Sequence, residues 1–253
     1  MLAKPNPKLI VFDEKRDPFK KSSAIELRYA RSLRQVAREV GRIVRGYIPG
    51  LIESSAALNE ALKHYADILK PWARVTASSI AQALNQQDYK TWQRQANEMS
   101  RVMREELENA PVGNELQRFL TDNVDLITSL PTDAGMRVHK LTQEGLADST
   151  RASEIAKEIW NTGEVTESRA NLIARTEVAR TASALTEIRS ESVGSEAYIW
   201  RTAKDADVRE SHRRMEGKVI RWDTPPTLSD GTVTHAGQIY NCRCYPEPII
   251  PDL

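Results

Sequence analysis

The residues whose types and spacing could do chemistry are gathered near the C-terminal end of the sequence, between Asp205 and Cys244. His212, His235, Cys242 and Cys244 form a two-imidazole, two-thiol set, and Asp205 or Asp207 would add an oxygen. These are the donor types that zinc accepts. Cys242 and Cys244 are separated by one residue, and Cys-x-Cys is a weaker metal signature than Cys-x-x-Cys, whose two intervening residues make the usual knuckle turn. Two readings therefore stand side by side. In one, Zn2+ held by the four side chains closes a segment with little apolar sequence after Trp222. In the other, the cysteines are small buried apolar groups beside ordinary hydrogen-bonded histidines. A third reading makes a cysteine a nucleophile with His212 or His235 as base, which needs hydrogen-bond reach and a lowered thiol pKa. Arg243 between the thiols supplies an electropositive setting, but no oxyanion loop or substrate motif accompanies it. No catalytic residue is assigned, the expectation is a non-enzyme, and a zinc- or thiol-dependent enzyme centred on His212, Cys242 and Cys244 is the more distant of two alternatives, the nearer being contact with DNA through the Arg28 to Arg45 stripe.

A second constellation lies near the N-terminal end. Arg28, Arg31, Arg34, Arg38, Arg42 and Arg45 recur at three- and four-residue steps. At 100° per residue they fall within about 120° of one another on a helix, beside an apolar face. Such a stripe is either a solvated face with acidic neighbours or a docking surface for nucleic-acid phosphates or an acidic protein groove. No aromatic residue is interleaved, so base stacking is not indicated. The net charge of +1 conceals the asymmetry, because residues 1–50 hold 12 Lys and Arg against 5 Asp and Glu.

Helices must position both constellations. Ser23 with Glu26 is a capping-box pattern, and Ala30, Leu33, Val36, Ala37, Val40, Ile43, Val44 and Tyr47 follow at helical spacing until Pro49 and Gly50. From Ser55 to about Ser192 the pattern is helix after helix, with expected breaks at Pro71, near Gln86 to Asp88, at Pro111 to Gly113, at Pro131, around Asp148 to Thr150 and at Gly163. Trp72, Trp92 and Trp160 are expected core anchors. Beyond Gly194 the texture changes to short strand-like runs, AYIWRT at Ala197–Thr202 and KVIRW ending at Trp222, followed by an irregular Pro- and Gly-containing stretch. The fold class expected is α+β, a predominantly helical N-terminal region followed by a small mixed α+β C-terminal domain. The expected division is an extended N-terminal arm at 1–20, a helical docking domain at 21–149 and a C-terminal domain at 150–253.

Hydrophobic residues make up 40% and charged residues 28% of the chain, which suits packed helices with solvated faces. No run approaches the roughly 20 apolar residues of a membrane span, and the first residues lack a signal-peptide core. A disulfide across one intervening residue would be strained, so reduced thiols are expected. Phosphate-loop, dinucleotide-fingerprint, metalloprotease-helix and DNA-reading zinc-finger motifs are absent from the sequence.

Taken together, IARTEVARTAS at residues 173–183, Trp200, DADVRESHRRMEGK at residues 205–218 and GQIYNCRCYPEP at residues 237–248 resemble the phage Mu F-like head-morphogenesis domain. The resemblance covers roughly the last 100 residues. The positions that carry it are Arg175, Thr176, Glu177, Trp200, Asp207, Arg209, His212, Gly217, Asn241, Cys242, Arg243 and Cys244. It implies a bacteriophage minor head protein acting in procapsid assembly, located in the virion at the capsid interior or portal and in the host cytoplasm beforehand. The partners it implies are the portal protein and the major capsid or scaffolding protein, with phage DNA as a further candidate and no membrane. Physically, Arg175 and Glu177 are expected to pair with charges across the helix–sheet interface, Gly217 to supply a left-handed residue after a helix, and Asn241 to start a turn.

Overall fold

In a computed structural model the structure describes residues 23–49, 51–95, 99–148 and 152–250. The arm expected at 1–20 lies outside them. Element order is α1 (Ser23–Arg45), α2 (Ile52–Gln95), α3 (Arg101–Glu108), α4 (Gly113–Ala147), α5 (Ala152–Trp160), α6 (Thr162–Ser192), β1 (Ala197–Thr202), α7 (Glu210–Arg213), β2 (Val219–Arg221) and β3 (Cys244–Ile249). The helical region followed by a small sheet bears out the α+β reading. The described residues form two compact units, one of residues 24–81 and 119–175, the other of residues 82–118 and 176–250.

In the first unit, α1 buries Tyr29, Ala30, Leu33, Val36, Ala37, Val40, Gly41 and Val44. On an ideal helix these positions centre roughly opposite the arginines rather than beside them. Val40 and Val44 pack with Leu58 and Leu62 of α2, Ala134 and Val138 of α4, and Ile155 and Ile159 of α5. Close approach is built in by glycine: a Cβ on Gly145 would stand 2.4 Å from Ile155 Cδ1, so α4 meets α5 with no room for a side chain. Tyr29, fully buried, donates its hydroxyl to Asn123 Oδ1 at 2.7 Å, and Asn123 Nδ2 donates to the Phe119 carbonyl. Glu26 accepts from Arg175 Nε at 3.2 Å, and that ion pair is the structural role found for its carboxylate.

Three expected helix breaks do not occur. The helix α2 continues through Pro71 and through Gln86 to Asp88, and α4 continues through Pro131. Proline removes one ladder hydrogen bond, yet the buried positions Leu58, Leu62, Ala66, Leu69, Ala73, Ala77, Ile80 and Leu84 run unbroken past Pro71, and packing of such a face outweighs local propensity. The polar run at Gln86 to Asp88 is held from outside the helix: Asp88 is buried and accepts from Thr186 Oγ1 at 2.8 Å and from Arg189 Nη1. Breaks at Pro111 to Gly113 and just before Gly163 are present, and the one around Asp148 to Thr150 falls between α4 and α5, partly outside the described residues. Of the tryptophans, Trp92 is fully buried, but Trp160 is 51% exposed and no core anchor.

The second unit carries a three-stranded sheet in the order β2-β1-β3, all antiparallel. Tyr198, Trp200 and Thr202 of β1 are buried on one face, where Tyr198 and Trp200 pack with Met215, Ile220, Trp222, Leu228, Ala236, Cys242 and Cys244. Another cluster joins Tyr245 and Ile250 to Trp92, Met99, Met103, Leu107 and Val193. The strand β3 was not expected from its Pro246 and Pro248, but it lies at the edge of the sheet, where a missing N–H costs no ladder bond.

The Asp88 and Arg189 side chains are only 7% and 4% exposed. Removing one partner strands a buried charge, so Arg189→Met should lower the unfolding free energy by about 3–5 kcal/mol in urea denaturation, with much of it recovered in Asp88→Leu/Arg189→Met. A loss below about 1 kcal/mol for the single variant would show the pair to be dispensable.

Candidate metal centre

The approach to the site is made by turns. After α7, Gly217 takes φ +78° and donates its N–H to the Trp200 carbonyl at 2.8 Å, which returns the chain to the sheet as β2. Asn241 takes φ +52° and donates its backbone N–H to Thr176 Oγ1 of α6 at 3.0 Å. Both expected turn roles are found. Gly237, at φ +84°, lies so close to α6 that a Cβ there would stand 2.0 Å from Ser183 Oγ and 3.1 Å from the Cys244 carbonyl oxygen. Arg180 Nε donates to the Gln238 carbonyl at 3.1 Å, and Gln238 Nε2 donates to Glu187 at 3.1 Å. The loop at 237–241 is thus fastened to α6 along its length, and its end delivers the cysteines.

His212 on α7, Cys242 and Cys244 converge there. His212 Nδ1 lies 3.4 Å from Cys244 Sγ and 3.5 Å from Cys242 Sγ. All three ligand atoms fall within 4.8 Å of one another, and all three residues are buried. With zinc-to-sulfur bonds of about 2.3 Å and zinc-to-nitrogen bonds of about 2.0–2.1 Å, a tetrahedral site separates its nitrogen and sulfur ligands by about 3.5 Å. A single ring nitrogen has one lone pair or one proton, and equal approach to two sulfurs suits a cation shared among the three. These side chains can hold a metal ion. Trp200, edge-on to the His212 ring at 5.6 Å between centroids, fixes the imidazole plane. The Cys244 backbone N–H also donates to Cys242 Sγ at 3.4 Å, which orients that sulfur.

His235, the fourth expected ligand, is not brought into this group. Its Nδ1 pairs with Tyr198 Oη at 3.1 Å, and a second hydrogen bond runs to the Trp222 backbone. Tyr198 Oη also accepts from the Ala236 N–H. Burial pushes the His235 pKa down and the Tyr198 hydroxyl up. Asp205 and Asp207 are likewise not ligands. They accept from Arg243 Nε at 2.8 Å and Arg243 Nη1 at 3.0 Å, which corrects the expected electropositive setting: the charge of Arg243 is answered by two carboxylates.

The remaining positions have structural partners. Arg209 donates to the Tyr240 carbonyl at 3.1 Å and lies over the Tyr240 ring. Glu177, buried, accepts from Arg180 on its own helix at 3.3 Å. Sequence reasoning missed a network on the other face of the sheet: Arg201 of β1 donates to the buried Glu247 of β3 and lies 3.5 Å from Glu216, whose carboxylate accepts from both Thr202 N and Oγ1 at 2.7 Å. Only the strand register places these residues together, with Arg201 opposite Tyr245 and Ile199 opposite Glu247.

Residues 136–246 match the family model described as Phage Mu protein F like protein, a span that begins before the expected 150 and contains every resemblance position. An uncharacterized protein of Haemophilus influenzae is 32% identical over 145 residues, covering 57% of this chain. The aligned part is 32% of that protein, so the chain spans about a third of its relative's length. No solved structure matches the chain. No described helix is long and apolar enough to cross a membrane.

Glu187, which holds the loop through Gln238, has its pKa raised to about 7 by burial first and by Glu191 and Glu115 second. A group raised in the folded state contributes stability that is full below its unfolded value near 4.5 and is lost as pH rises through about 7. Glu187→Gln should therefore match the wild type in Tm at pH near 4.5 and exceed it above pH 7. Parallel Tm curves for the two proteins across that range would show that Glu187 does not titrate as its surroundings dictate.

Proposed function

We propose that this chain acts as a minor component of a bacteriophage head, in procapsid assembly at the portal or the capsid interior. The observation that carries the reading is the match of residues 136–246 to the Mu F-like family. Its partners in this reading are the portal protein and the major capsid or scaffolding protein, met in the host cytoplasm and retained in the virion. The role is structural rather than enzymatic. Burial of His212, Cys242 and Cys244, at 2%, 2% and 0% exposure, supports this, since a nucleophile needs a path for its substrate.

In the same reading the ion held by these side chains is zinc, the cation suited to one imidazole and two thiolates. Bound there, it would supply folding free energy by tying α7 to the start of β3, and no chemical step is assigned to it. The chain's own residues orient the donors: Trp200 sets the imidazole, Asn241 and Gly237 set the loop, and Arg243 is held outward by Asp205 and Asp207.

The reading is tested in the phage or prophage that encodes the chain. With the gene deleted, heads should fail to assemble or to fill with DNA, and in the parent the protein should sediment with purified heads at a few copies each. Normal numbers of filled heads from the deletion strain, with the protein absent from parental heads, would refute the assembly role.

A further inference from the structure

On the first unit, the solvent-facing side of α1 is a row of guanidiniums whose surroundings leave most of its charge standing. Arg31, Arg38 and Arg45 are exposed, and among the described residues none of the three has a side-chain partner. They recur every seven residues, hence about 10.5 Å apart along the axis. Arg28 and Arg34 are engaged, but by neutral acceptors, the Ser79 carbonyl oxygen at 3.2 Å and Asn171 Oδ1 at 2.8 Å, so both keep their positive charge. Among the described residues, of the six only Arg42 meets a carboxylate, that of Glu39, at 2.6 Å. One face of a helix of 23 residues thus presents six arginines against one acid. The sequence leading into it, with Lys4, Lys8, Lys15, Arg16, Lys20 and Lys21 against Asp13, Glu14 and Asp17, adds positive charge.

We infer that the Arg31, Arg38 and Arg45 face of α1 is a binding surface for the phosphate backbone of double-stranded DNA, independent of sequence. A protein partner would call for an apolar centre to the patch, and on the arginine side of α1 Leu27 is the single large exposed hydrophobic residue among those described. Single strands would call for stacking aromatics, and the face has none. Arg28 and Arg34 are pre-positioned by their neutral partners and flank the free row with charge. A regular line of fixed cations along one axis complements a polyanion whose charges repeat at a short axial interval. The inference rests on α1 alone, so it stands or falls apart from the head-assembly reading.

The test is fluorescence anisotropy of the full chain with duplexes of about 24 base pairs, of two unrelated sequences, across a salt series. The expected slope of log affinity against log salt is about −3 to −5, from three to six phosphate contacts, and the two duplexes should bind alike. Arg31→Gln/Arg38→Gln/Arg45→Gln should keep the circular dichroism spectrum and Tm of the parent, since these side chains are exposed, lose at least about tenfold in affinity at low salt and flatten the slope by about 2–3. Lys63→Gln/Lys70→Gln, which removes lysines paired with Glu60 and Asp67, should leave affinity within about twofold. No saturable binding at low salt, an unchanged slope in the folded triple variant, or equal displacement by poly-glutamate of matched charge would overturn the inference, the last by moving the surface to an acidic protein partner.

Discussion

His212 Nδ1 lies within 3.5 Å of two cysteine sulfurs that are themselves two residues apart in sequence, and the second unit is arranged to permit that closure. Bringing both thiols of a Cys-x-Cys pair to one side requires the chain to turn sharply before them, which Asn241 does at φ +52°, and to enter an extended conformation at once, which β3 does from Cys244. Extension throws Arg243 to the opposite side. There it meets Asp205 and Asp207 of the segment that leads into α7. The same alternation that gathers the donors therefore ties down the helix bearing the third one. Trp200 and Tyr198 of the central strand form the floor beneath, and the second histidine is spent on that floor through Tyr198 and Trp222.

What supports this closure is α6. Thr176, Arg180, Ser183 and Glu187 lie on the successive turns of one helix that the loop at 237–241 follows. Two segments about sixty residues apart in sequence become one structural feature, and both lie within the span that matches the Mu F-like family. At its far end α6 is anchored by the buried Arg189 and Asp88 pair. An interior polar anchor of this kind contributes little net stability but penalises alternative packings in which either charge is left alone.

Much of this was legible in the sequence, and what was not has identifiable causes. The strand β1 follows from the alternation of AYIWRT, because one face is buried and one is not. By contrast β3 carries two prolines that argue against a strand, and only its edge position, a property of the sheet and not of the segment, makes them acceptable. The helix breaks expected at Pro71 and Pro131 failed for the matching reason: a continuous buried stripe lies on either side of each, and tertiary burial is invisible to local punctuation. For the site, residue types point to His212, Cys242 and Cys244, which the fold brings together, while His235 shares its donor chemistry with His212 and differs in having its ring nitrogens engaged elsewhere. Arg201, Glu216 and Glu247 carry no motif at all, and become a network only through strand register. The two compact units each draw on two separated stretches of chain, an arrangement that periodicity along the sequence does not encode.

In the proposed site, zinc held by His212, Cys242 and Cys244 fastens α7 to the start of β3. Native mass spectrometry of the full chain, purified without added chelator, tests it most directly alongside Cys242→Ser/Cys244→Ser. The expected result is one zinc per wild-type chain, none in the variant, and a fall in Tm of the wild type to that of the variant when a chelator removes the ion. A folded wild-type chain that carries no metal, takes up none from added zinc and matches the variant in Tm would contradict it, and would leave the three side chains as a hydrogen-bonded packing cluster.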